Sequence, residues 1–115
     1  IGADPAQIEA AGRTGAAVIE LHTGAYCDAA RDGHIEEAER LLVGLRAGAT
    51  LAVSLGLEVH AGHGIDYETV APIAAIPEVA ELNIGHFLVG EAIFIGLGPA
   101  VVEMRRRIDA AREGA

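Results

Sequence analysis

With 115 residues, 51% of them hydrophobic, the chain has material for one modest core, and this argues against disorder. Seventeen acidic against 8 basic residues give a formal charge of −9, which excludes the broad basic surface that phosphate-backbone binding requires and counts against a nucleic-acid partner. Cys27, the single cysteine, cannot form an internal disulfide, in keeping with a reducing, cytoplasmic setting.

The chain opens on Ile rather than Met, no signal peptide is read, and a helix starts almost at once, so the sequence reads as beginning inside a fold. Asp4 caps free N–H groups, Pro5 suits the first helical position, Gln7 stands where a capping-box partner would, and Gly12 is the expected stop. Residues 16–22 form a strand with Val18, Glu20 and His22 on one face and Ala17, Ile19 and Leu21 on the other. A carboxylate in so apolar a strand costs free energy unless paired, so Glu20 is expected to face a polar interior or a ligand. The alternative is an edge strand whose Glu20 faces water.

Residues 23–33, with Gly24, Asp28, Asp32 and Gly33, predict a loop long enough to contribute to a site. A long helix follows from His34. Its apolar stripe comprises Ile35, Ala38, Leu41, Leu42, Leu45, Ala49, Ala52 and Val53, and Gly56 ends it. In LEVHAGHG (57–64) a strand alternation runs straight into Gly62-His63-Gly64. Asp66 is the expected cap of a short helix over 70–76, bent by Pro72 and closed by Pro77. Residues 80–84 form a third strand, and Gly85-His86 leads into an apolar helical piece, 87–95. The most apolar run, 87–102, is broken by Glu91, Pro99 and three glycines, short of the ~18 uninterrupted apolar residues a membrane span needs. A last helix starts around Pro99, with Val101, Val102, Met104 and Ile108 on its apolar side.

Strands separated by helices require a parallel sheet, so the fold class is α/β. Three βα units make up about three-eighths of a (β/α)8 TIM barrel, too little to close one. A single partial domain over 1–115 is expected, the C-terminal part of such a barrel, because a short extra helix after the last strand suits its phosphate end. A small doubly wound sheet is the structural alternative.

His63, between two glycines at a strand end, is a candidate general acid or base, and Glu20 on a nearby strand could position it or stabilise a developing cation. The plainer alternative is that His63 only caps the following turn. Gly64 and Gly85-His86 offer backbone N–H groups near helix starts, where a phosphate would sit, although tight turns also need glycine. His22, His63 and His86 at strand ends raise a metal reading. It is set aside because His60 and His63, three apart on a strand, face opposite sides and no Asp or Cys completes a ligand set. His60 is expected to pack between strand and helix, and Cys27 to be a small packing residue.

The strings ELHTGAYCDA (20–29), SLGLEVHAGHGIDYETV (54–70) and IAAIPEVAELNIGHFLVGEAIFIGL (73–97) resemble the C-terminal part of the bacterial pyridoxine 5′-phosphate synthase family. The resemblance implies a (β/α)8 barrel with added helices, a cytoplasmic homo-octamer, and no metal or organic cofactor. It also implies a condensation of 1-deoxy-D-xylulose 5-phosphate with 3-amino-2-oxopropyl phosphate that releases inorganic phosphate and water. By the same likeness His63 is the proton donor, Gly64 a ligand-binding glycine, Gly85 and His86 the phosphate-contacting pair, and Glu20 a transition-state stabiliser. The family's Asn-x-Asp-His start, its His-x-Arg loop and a second acid/base Glu are not in this sequence, and Gly2 stands where an aspartate would be expected. The chain is therefore expected to be incomplete, inactive alone, and prone to self-association through open strands. Two other readings are another phosphate-binding barrel enzyme and a non-catalytic half-barrel module.

Overall fold

A computed structural model describes residues 1–114, and its first helix, α1 (Pro5–Arg13), begins where Asp4-Pro5 indicates. The Asp4 carboxylate accepts from the Ala6 N–H at 3.0 Å. Gln7 closes no capping box, for its Oε1 accepts from the Gly2 N–H instead, at 3.1 Å. The helix runs one residue past Gly12 and stops before Gly15, whose φ of +81° is the left-handed turn that glycine tolerates.

Strand β1 (Val18–His22) alternates as expected, with Ile19 and Leu21 buried and Val18, Glu20 and His22 exposed. The segment expected to be a loop is instead a helix, α2 (Gly24–Arg31). Its interior holds Ala25, Ala29 and Ala30, the strongest helix formers, while the glycines that suggested a loop stand at its ends. Gly33, at φ +76°, is a terminator. Helix α3 (Ile35–Ser54) buries Ala38, Leu42, Leu45, Ala49 and Ala52, but Ile35 and Val53 are exposed. A 20-residue helix is about 30 Å long against roughly 17 Å for a five-residue strand, so both ends overhang the sheet.

Strand β2 (Glu58–Gly62), helix α4 (Val70–Ala74), strand β3 (Val79–Asn83) and helices α5 (His86–Ile95) and α6 (Leu97–Glu113) complete the order. α6 begins two residues before Pro99. It buries Ala100 and Met104, whereas Val101 and Val102 are exposed. α5 packs chiefly on α6, with Phe87 edge-on to Tyr67, and buries no residue fully, leaving Val89, Ile93 and Phe94 in the open.

The sheet is parallel, ordered β1-β2-β3, with Glu20 beside His60 and Gly62 beside Asn83. One extra residue on β3, Ala80, makes an irregularity between Val59 and His60. Beyond β1, the Ile1 amino group donates to the Glu20 carbonyl at 2.7 Å, and the His22 N–H donates to the Ile1 carbonyl at 2.9 Å. That is the slanted pattern of a parallel pair.

Ile19, Leu21, Val59, Ala61 and Val79 join Ile8, Leu42, Leu45, Ile73 and Met104 in one core beneath the helices. The other face carries Val18, Glu20, Glu58, His60 and Glu81 and is largely open. His60 therefore does not pack under a helix. Its Nε2 and Nδ1 lie 2.6 Å from Glu58 and 2.9 Å from Glu81 on the open face, because even-numbered positions of β2 point away from the helices.

Candidate functional site

At the carboxyl ends of the three strands lies a hollow of about 500 Å³, and Glu20, His63, Gly64, Gly85 and His86 all line it. Parallel strands with sequential order bring their C-terminal tips to one edge, so three sequence-distant turns become neighbours.

Glu20 does not reach His63. Its Oε1 accepts from Asn83 Nδ2 at 2.7 Å, across β2, where Gly62 has no side chain to obstruct it. Asn83, unassigned from sequence, is thus the direct partner of Glu20. Its position as the last residue of β3, two before Gly85, is the signal that could have found it.

His63 takes φ +87°, the one non-glycine residue with positive φ among those described. Thr23 supports that turn. Its buried Oγ1 lies 2.6 Å from the His63 carbonyl and 2.9 Å from the Gly62 carbonyl, and its N–H donates to the Gly62 carbonyl at 2.9 Å. The His63 ring is exposed and stacks on His22, with centroids 4.4 Å apart and planes inclined at 26°. His22 Nδ1 in turn accepts from the Gly24 N–H at 3.2 Å.

Gly64 sits at φ +77°, six residues before α4 starts, so its amide is not at a helix N-terminus as expected. The residues between form a turn instead, in which Asp66 Oδ1 accepts from the N–H groups of Glu68 and Thr69, both at 2.9 Å. Arg31 fastens the same loop to α2. It donates to the Gly64 carbonyl at 2.7 Å, to Asp66 at 3.1 Å and to Asp28 at 2.7 Å. Burial alone would raise the Asp66 carboxyl, but the Arg31 guanidinium and the Thr69 and Glu68 donors outweigh it and hold the group below its ordinary value. Arg31 was invisible in a segment read as a loop.

Gly85 is the N-cap residue of α5 and His86 its first residue, and no side chain caps that terminus. Unsatisfied N–H groups and the positive end of the helix dipole therefore face the hollow. Cys27 is fully buried, and burial pushes its thiol up, as suits a packing residue. Among the described residues no three His, Cys, Asp or Glu side chains are grouped to hold a metal ion, and no helix is long and apolar enough to cross a membrane.

Residues 1–110 match the profile of the family described as pyridoxal phosphate biosynthesis protein PdxJ. The pyridoxine 5′-phosphate synthase of Caulobacter sp. (strain K31) is 69% identical over 112 residues, covering 97% of this chain and 45% of that protein. That of Cereibacter sphaeroides (strain ATCC 17029 / ATH 2.4.9) is 68% identical over 115 residues, covering 100% of this chain and 46% of that protein. The chain thus spans a little under half the length of these relatives. Matched along nearly its whole length to one family's profile and at this identity to its members, the chain belongs to the PdxJ family of pyridoxine 5′-phosphate synthases.

Proposed function

We propose that this chain supplies the phosphate site and the proton-donating histidine of a pyridoxine 5′-phosphate synthase. In the reaction 1-deoxy-D-xylulose 5-phosphate and 3-amino-2-oxopropyl phosphate condense to pyridoxine 5′-phosphate, inorganic phosphate and water. The observation that carries this reading is the gathering of Glu20, His63, Gly64, Gly85 and His86 around one hollow.

Each role follows from what its group can do there. The uncapped start of α5 at Gly85-His86 receives a phosphate on backbone N–H groups. Asp28 and Asp66 around Arg31 leave that side of the hollow unattractive to an anion, and Glu20, tied to Asn83, keeps the phosphate beyond the tip of β3, at the start of α5. His63 as imidazolium gives its proton to a departing hydroxyl, which leaves as water. Glu20, with Oε1 held by Asn83, turns Oε2 toward the cationic iminium formed when amine meets ketone. Gly64 allows close approach of the ligand to the backbone. These steps call on side chains and backbone alone, with no metal or organic cofactor.

We further propose that the sheet belongs to a (β/α)8 barrel. Helices cover one face only, the arrangement of a barrel wall, whereas a doubly wound sheet is covered on both. The Ile1 pairing beyond β1 supports a sheet that continues on that side. The open apolar side of α5 suits burial against another protein surface, in keeping with the homo-octamer implied by the family likeness. The cytoplasm is the compartment this reading assigns.

The test is product formation by the intact protein supplied with the two phosphorylated substrates. Pyridoxine 5′-phosphate appearing with stoichiometric inorganic phosphate supports the reading, and its absence with correctly folded protein contradicts it.

A further inference from the structure

The His22-Thr23-Gly24 segment has no part in the chemistry above, yet each of its residues touches the His63 turn. Gly24 is the first residue of α2, and a Cβ placed there would stand 2.6 Å from His22 Cε1 and 2.8 Å from His63 Cδ2. Both rings therefore rest on space that only glycine leaves. Thr23 holds the His63 backbone in its rare conformation through the paired carbonyl contacts. The His63 side chain makes no hydrogen bond with any described residue, so packing against the His22 ring is what fixes its plane. Because His22 Nδ1 accepts from a backbone N–H, that nitrogen bears no proton, and the ring presents itself in one orientation.

We infer that His22-Thr23-Gly24 is a built seat for the His63 ring, and that His22 is a positioning residue for the reaction proposed above, on which this inference rests. Stacking aims an acid whose ring no described residue holds by a hydrogen bond. A misplaced catalytic group costs on the order of 10²-fold in rate, and the loss falls on turnover rather than on substrate binding, since His22 does not line the hollow.

The experiment compares His22→Ala, His22→Phe and Gly24→Ala in the intact protein, reading kcat, KM and the ring-proton resonances of His63. His22→Ala should lower kcat by about 10²-fold with KM little changed, and shift the His63 ring resonances. His22→Phe, which restores a flat ring, should recover most of both. Gly24→Ala, which favours the helix, should lower kcat comparably while thermal stability is kept. Where His63→Ala lowers turnover, unchanged kcat in His22→Ala and Gly24→Ala overturns the seat, as does a folded His22→Phe no better than His22→Ala. Should His63→Ala itself leave turnover intact, the catalytic reading fails separately. In that case the seat is judged by ring geometry: nuclear Overhauser contacts from the His63 ring to Gly24 that are lost in His22→Ala and kept in His22→Phe support it, and contacts unchanged in His22→Ala overturn it.

Discussion

Glu20 on β1 and Asn83 on β3 are hydrogen-bonded at 2.7 Å although β2 lies between their strands. Neighbouring strands stand about 4.8 Å apart, so the two backbones are separated by roughly twice that distance. The bond spans the gap by passing over Gly62, where a Cβ would come within 2.6 Å of Glu20 Oε1 and 2.8 Å of the Asn83 carbonyl oxygen. One missing side chain thus lets the outer strands share a polar contact at the mouth of the hollow.

Gly62→Ala should therefore separate Glu20 from Asn83. Since the Asn83 carbonyl is backbone, it cannot swing away, and overpacking of this kind costs about 1–3 kcal/mol. Chemical denaturation would show the loss as a lower midpoint. An unaltered midpoint would mean that the strand tips yield more easily than their spacing indicates.

His63→Ala in the intact protein should lower turnover by about 10²–10⁴-fold, the range for loss of a general acid. Phosphate affinity should hold, because the proposed contacts to phosphate are backbone groups at the uncapped start of α5. Steady-state kinetics with inorganic phosphate as a competitor separates the two effects.

Thr23→Val removes a buried hydroxyl that faces two carbonyls, those of Gly62 and His63. With an acceptor left unpaired, the expected cost is about 1–3 kcal/mol, and Thr23→Ser should recover most of it. Equilibrium unfolding of the two variants checks both statements.

The Asp66 carboxyl gives a pH dependence of known sign. Burial works to raise it, but Arg31 and the Thr69 and Glu68 donors prevail, so the folded-state value lies below the ordinary 3.8. The unfolded chain binds the proton more readily, so this contribution to stability is complete above 3.8 and disappears as pH falls through the lower folded value. Asp66→Asn should flatten the acid limb of a stability-against-pH curve. A limb of the same slope would remove Asp66 from the cause.

Strands and their facing were legible because alternation is a local signal: Ile19 and Leu21 inward, Glu20 and His22 outward follow from sequence order alone. The Asp4-Pro5 start and the Gly56 stop were legible for the same reason, since capping chemistry involves adjacent residues. Helix α2 was missed because Gly24, Asp32 and Gly33 flank it closely enough to mask its alanines. The convergence of His63 with Gly85-His86 was readable from the βα order. Its finer contacts were not, because Glu20 with Asn83, Thr23 with His63, and Arg31 with Gly64 join residues 33 to 63 positions apart. Burial of α3 was overread at Ile35 and Val53, for helical periodicity does not tell how far the neighbouring sheet extends.

The central claim is that three parallel strand tips enclose one anion site. Titrating the intact protein with inorganic phosphate while following backbone amide resonances tests it most directly. The account predicts that the largest changes fall on Gly85 and His86, with lesser ones at His63 and Gly64. Changes confined to the opposite ends of the strands, around Val18, Glu58 and Val79, or no saturable change at Gly85 and His86, would contradict it.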